Sequence, residues 1–296
     1  MHSHPPRRPA HLSRRALLAG ALGVVALGGC PACAGRLAAA QSMDPFTYIR
    51  TMPATTDVGQ KVGQPAVEVG PVEADGALWD AYIQLPIKQG QDYHYTCEFD
   101  SSWIILKAYG HDLTLEEQLE IVGHDRSIEP WYEETATGVI VWGGEFQEYF
   151  SGDYRENFLA RARCSAIAKV FKARGLGVTI TDTRDRIEAA LLRGEPVFFK
   201  STVDFLDWVP ATWITPSGQE FPVVLGNDHA LIVMGFNGED VIIRDPLGPT
   251  STNARRPWQY RVSWARFLEV LAAQGNDAVA VAPAPTEAVE GDGTGA

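Results

Sequence analysis

His229-Ala230-Leu231-Ile232-Val233-Met234-Gly235-Phe236 is followed by Asn237-Gly238 and, two residues on, by Val241-Ile242-Ile243-Arg244-Asp245. Two apolar runs flank an Asn-Gly pair, and both residues of that pair accept positive φ, so the stretch reads as a β-hairpin. Downstream, Trp258 to Val262 reads as a third strand, Trp264 to Ala273 as a helix and Ala278 to Val281 as a closing strand. Upstream the period changes. Phe99, Trp103, Leu106 and Ala108 recur at helical spacing between Cys97 and Tyr109, with Gly110 as the stop. Thr114-Leu115-Glu116-Glu117 has the form of a capping box opening a helix that closes at Gly123. Leu159, Ala162, Ala166, Val170 and Ala173 predict a long helix over Glu156 to Arg174. Val178 to Thr181 and Pro196 to Lys200 read as strands around a helix from Arg184 to Arg193, and Tyr82 to Pro86 as a short strand. The aromatic, Gly-interrupted stretch from Glu129 to Phe150 reads as a loop with short helices. Helices precede an antiparallel sheet, so the expected class is α+β, a helical N-terminal half packed on a C-terminal antiparallel sheet.

The 296 residues are 45% hydrophobic, enough for a packed core, and the net charge of −12 argues against nucleic acid as a partner. Residues 1–40 hold five arginines and no acid, so without them the net charge falls from −12 to −17. That segment reads as an export signal: a basic start, an apolar run from Ala16 to Gly29, then small residues. The run would rise only about 21 Å as a helix, short of a bilayer core. Ser13-Arg14-Arg15-Ala16-Leu17-Leu18 resembles a twin-arginine signal, which addresses a protein to the cell envelope or beyond. Cleavage after Ala38-Ala39-Ala40 or near Ala32-Cys33-Ala34 competes with a lipobox at Leu27-Gly28-Gly29-Cys30, where Cys30 would carry a lipid; Pro31 counts against the lipobox. Residues 41–76 then read as a Gly/Pro/Thr-rich linker, 77–283 as one globular domain and 284–296 as an acidic tail.

Beyond the signal two cysteines remain, Cys97 and Cys164. Cys97 falls at the start of a predicted helix, where free amides and the macrodipole favour a thiolate. A thiolate nucleophile needs a base and a third group to hold that base in its useful tautomer. His229, at the head of one hairpin strand, and Asp245, at the end of the next, fall near the same open end and supply both. Gln91, six residues before Cys97, offers a side-chain amide for an oxyanion beside the Cys97 backbone amide, with Gln89 as its rival. Asp228 adjoins His229 and is expected to point to the opposite face of the strand. Cys164 reads as mid-helix filler. His94, His111 and His124 lack metal-ligand spacing, and no cofactor is expected. Trp131, Tyr132, Trp142 and Phe146 line a cleft or form local core.

Gln91-x5-Cys97-Glu98-x-x-Ser101, a later His229 opening a strand, and Asp245-Pro246 after the hairpin resemble the C39-like, papain-fold cysteine peptidases, as does Arg186-Ile187-x3-Leu191-x2-Gly194-x-Pro196-Val197. The resemblance runs from about Ile83 to Pro283. It implies a papain-like fold with Cys97 as nucleophile, His229 as base, Asp245 as orienter and Gln91 in the oxyanion hole. Thr96 stands where many members have glycine, a change expected to crowd the sulfur. The functional expectation is an exported, monomeric cysteine peptidase acting on peptides or proteins. The rivals are a transglutaminase-like acyltransferase and an inert peptide- or cell-wall-binding scaffold.

Overall fold

The computed structural model describes residues 48–52, 66–74, 76–249 and 254–284. The export signal, the lipobox alternative and most of the acidic tail lie outside the described residues. The described residues open with β1 (Arg50–Thr51), β2 (Ala66–Ala74) and β3 (Ala77–Gln84). Then follow helices α1 (Cys97–Ala108) and α2 (Leu115–Val122), short strand β4 (His124–Asp125), hairpin β5 (Trp131–Thr135) and β6 (Gly138–Trp142), and β7 (Phe150–Ser151). Helix α3 (Cys164–Lys172), β8 (Gly177–Ile180), α4 (Arg184–Leu192) and β9 (Val197–Thr202) lead to β10 (Pro210–Ile214) and β11 (Glu220–Val224). The chain closes with β12 (Asp228–Phe236), β13 (Asp240–Arg244), β14 (Gln259–Ser263), α5 (Trp264–Ala273) and β15 (Ala278–Ala282).

Nine strands form the main sheet, in the order β1-β14-β13-β12-β9-β15-β8, with the β2–β3 hairpin attached to β12. All of its pairings are antiparallel. Every residue of β9 and β13 is buried, which requires cover on both faces. Helices α1 and α3 pack on strands of this sheet and on each other, α4 packs on β3, β9 and β12, and α5 on β9, β13 and β14. At the hairpin end β12 exchanges its neighbour β9 for β3, and the register shifts between Val233 and Gly235. Gly235 is required there: a Cβ would sit 2.7 Å from the Ala81 carbonyl oxygen.

Three expectations need correction. The stretch read as a linker supplies β1 and β2, and these pair with β14 and β3; exposed edge strands need no apolar periodicity to announce them. The stretch read as a loop with short helices is the β5–β6 hairpin, which joins β10 and β11 in a four-stranded sheet of its own. This sheet has a separate core of Val139, Val141, Phe146, Leu159, Trp213 and Val223. The helical half therefore contains a sheet as well. The long helix over Glu156 to Arg174 begins only at Cys164. Leu159 serves the small core and Ala162 the large one, so their helical spacing comes from two cores rather than one face.

Candidate active site

Cys97 is the first residue of α1. The loop before it is pinned by one buried carboxylate. Asp100 accepts hydrogen bonds from the Asp92 amide at 3.3 Å and the Thr96 hydroxyl at 2.7 Å, and Lys88 Nζ lies 3.4 Å away. Thr96 therefore turns its hydroxyl to Asp100, and it accepts the Tyr93 amide at 3.1 Å. Burial pushes the Asp100 carboxyl up to about 7, against the Thr96 hydrogen bond and the Lys88 charge. Gln91 lies half-buried in this loop and Gln89 is exposed.

Helix α1 is tied to the sheet one turn further on. Ser101 Oγ donates to the Ala230 carbonyl at 2.8 Å, next to His229. Residues i and i+4 share a helix face, so Cys97 lies on the side of α1 that meets the start of β12.

His229 and Asp245 meet as their places in the hairpin require. Nε2 of His229 lies 2.9 Å from Oδ1 of Asp245, with both side chains buried. A carboxylate only accepts, so Nε2 carries the hydrogen and the neutral ring keeps its lone pair on Nδ1. Asp245 also accepts from the Leu247 amide at 2.8 Å and the Tyr260 hydroxyl at 2.9 Å, and Arg256 Nη1 stands 4.0 Å away. Burial opposes its charge, but His229 and Arg256 overcome it and hold the carboxyl at about 2. Arg256 is itself paired to Asp204, which lies with Phe205 in the left-handed region at φ 58° and 51°. Two adjacent non-glycine residues in that region are a strained turn, held in place by this buried ion pair.

A second charged cluster lies against Cys97. Its sulfur is 3.3 Å from Glu98 Oε2, and Glu98 Oε1 accepts Lys200 Nζ at 2.5 Å and the Ala162 amide at 3.2 Å. Lys200 also donates to Asp228 at 2.8 Å, and Gln274 donates to the other Asp228 oxygen at 2.7 Å. Asp228 is thus committed to Lys200, and the carboxylate on His229 is Asp245. The expectation of a thiolate-favouring helix start is corrected. Burial and then the Glu98 charge push the Cys97 thiol well up, and Lys200 offsets only part of this. A macrodipole contributes on the order of 1 kcal/mol, less than desolvation of a buried charge.

Cys164 is not mid-helix: it is the first residue of α3, buried, and its sulfur donates to the Asp277 carbonyl at 3.1 Å. Both cysteines are free thiols. Glu98, Lys200, Tyr260 and Arg256 were missed as site residues. Lys200 had a signal, since a lysine after Val197-Phe198-Phe199 in a strand requires a buried partner. Trp131 stacks on Trp142 at 6.2 Å across the small hairpin, whereas Phe146 stacks on Trp213 at 4.5 Å within its core. Among the described residues no group of three or more His, Cys, Asp or Glu side chains is arranged to hold a metal ion. No helix among them is long and apolar enough to cross a membrane.

No family model matches the chain, and no curated protein matches it. Among solved structures, the crystal structure of a C39-like peptidase candidate from Bacillus anthracis is similar, at a TM-score of 0.50 and 17% identity. The match covers 66% of this chain and 92% of that one. The likeness is one of fold: helices with an antiparallel sheet, arranged as in that C39-like protein.

Proposed function

We propose that the chain is an exported cysteine peptidase that hydrolyses peptide bonds through Cys97, His229 and Asp245. The observation that carries the reading is the buried bond from His229 Nε2 to Asp245, which leaves Nδ1 free to accept a proton; the Ser101 bond to the Ala230 carbonyl, one turn after Cys97 and next to His229, supports pairing that nitrogen with Cys97. Nδ1 takes the thiol proton as the sulfur bonds to the carbonyl carbon, and the carbonyl electron pair moves to oxygen. Gln91 and the Cys97 amide stabilise that oxyanion. The proton passes to the leaving amine, and water then releases the acyl group. The fold shared with a C39-like peptidase candidate supports the same class. The substrate is a peptide or protein, the working unit is a monomer, and the basic N-terminal segment directs export.

A peptide-library digest comparing the wild-type chain with Cys97→Ala tests this. Cleavage by the wild type alone is expected; identical patterns would place the activity elsewhere. One observation favours a second reading, an inert peptide-binding scaffold: the Cys97 thiol is pushed toward its protonated form. The scaffold reading expects peptide binding without cleavage in the same digest.

A further inference from the structure

The cluster around Cys97 has no part in the triad, and its chemistry is specific. Oε1 of Glu98 is already occupied by Lys200 and the Ala162 amide, while Oε2 is left facing the sulfur. A carboxylate has nothing to donate, so the hydrogen in the 3.3 Å contact belongs to the thiol. The sulfur thus has the Glu98 carboxylate as its hydrogen-bond partner. Resting on the reading of Cys97 as nucleophile, we infer that Glu98 holds the Cys97 proton in the resting chain, and that Lys200, pinned between Glu98 and Asp228, limits how strongly it does so. Both are positioning residues rather than catalytic ones.

The charges that face the sulfur come from three elements. Glu98 lies on α1, Lys200 on β9 and Asp228 on β12. Arg161 Nη1 stands behind them, 3.9 Å from Asp228. Glu98 and Asp228 disfavour a thiolate and Lys200 favours it. A neutral thiol bonded to Glu98 is unreactive toward adventitious electrophiles, a useful property for a nucleophile exported into an oxidising compartment. Catalysis then requires the thiol hydrogen to turn from Glu98 Oε2 to His229 Nδ1 before it is transferred. No further group is consumed, because the proton that leaves sulfur is the one later given to the leaving amine.

The opposite signs of the two neighbours make the inference testable. Alkylation of Cys97 by iodoacetamide is followed against pH by peptide mapping, which separates the Cys97 peptide from those of Cys30, Cys33 and Cys164. Glu98→Gln keeps the side-chain shape and removes the charge. It is expected to lower the alkylation midpoint by about one pH unit or more, which is about tenfold more thiolate at a given pH below it. Lys200→Met is expected to raise the midpoint. An unchanged midpoint in Glu98→Gln overturns the inference, as do midpoints that move the same way in both variants, since loosened packing alone would do that. If Lys200→Met does not fold by circular dichroism, the Glu98→Gln arm still decides. Midpoints shifted as expected without any peptide hydrolysis would support the role of Glu98 and count against the peptidase reading separately.

Discussion

Cys97 and Cys164 occupy the same local position, the first residue of a helix, and both are buried. Burial pushes both thiols well above the usual range, and Lys200 pulls against it in both. They differ in what meets the sulfur. Cys164 donates to the Asp277 carbonyl, while Asp277 Oδ2 accepts the Cys164 amide at 3.1 Å, so the contact is a fixed cap. Cys97 meets a carboxylate side chain, on a helix tied at Ser101 to the strand that carries His229. A helix start therefore does not make a nucleophile by itself. What meets the sulfur tells the two apart.

The widest separation between the two cysteines lies in turnover. Cys97→Ala is expected to reduce kcat/KM for a cleaved peptide by about 10⁴-fold or more, whereas Cys164→Ala leaves it within about threefold. Equal losses in the two variants would erase the distinction drawn above. Next comes the orienting carboxylate. Asp245→Asn puts an amide against His229 and favours the wrong tautomer, so kcat is expected to drop on the order of 10³- to 10⁴-fold with KM little changed. A drop confined to KM would mean that Asp245 is only structural.

The loop before the helix of Cys97 is pinned on the buried Asp100, and this predicts a pH signature in stability. Asp100 keeps its proton to about 7 when folded, against the ordinary carboxyl value of 3.8. Between these values the folded chain binds more protons than the unfolded one, so stability falls as pH rises through that window. The contribution is on the order of 4 kcal/mol, and Asp100→Asn is expected to flatten it in urea melts compared at about pH 4 and about pH 8. A slope unchanged in the variant would assign the pH dependence to another group. The smallest effect falls on that same loop. Gln91→Ala is expected to cost about 10²-fold in kcat, the typical loss for one oxyanion donor, while an equal loss in Gln89→Ala would show that the wrong glutamine was chosen.

Features with one dominant physical cause were legible in the sequence. Asn237-Gly238 marked the β12–β13 hairpin, and with it the juxtaposition of His229 and Asp245. Thr114 and Glu117 form the capping box that their spacing announced, with both reciprocal bonds present. Elements serving two partners were not legible. In β6, Val139 and Val141 point into a small core while Trp142 is half-buried on its edge, and the tryptophans and glycines hid the alternation. Leu159 and Ala162 mimicked one helical stripe because two cores each claimed one of them. At the site, the pairing of His229 with Asp245 follows from hairpin geometry. Glu98, Lys200 and Asp228 come from three distant segments, and only the folded sheet brings their charges together.

The most direct test of the central claim is to trap the covalent species. The chain is mixed with an activated peptide ester, quenched in acid within the first turnover, and mapped by mass spectrometry. The account predicts one acyl group on the peptide containing Cys97, absent in Cys97→Ala and strongly reduced in His229→Ala. Product released with no adduct on Cys97, or an adduct that survives in Cys97→Ala, would contradict it.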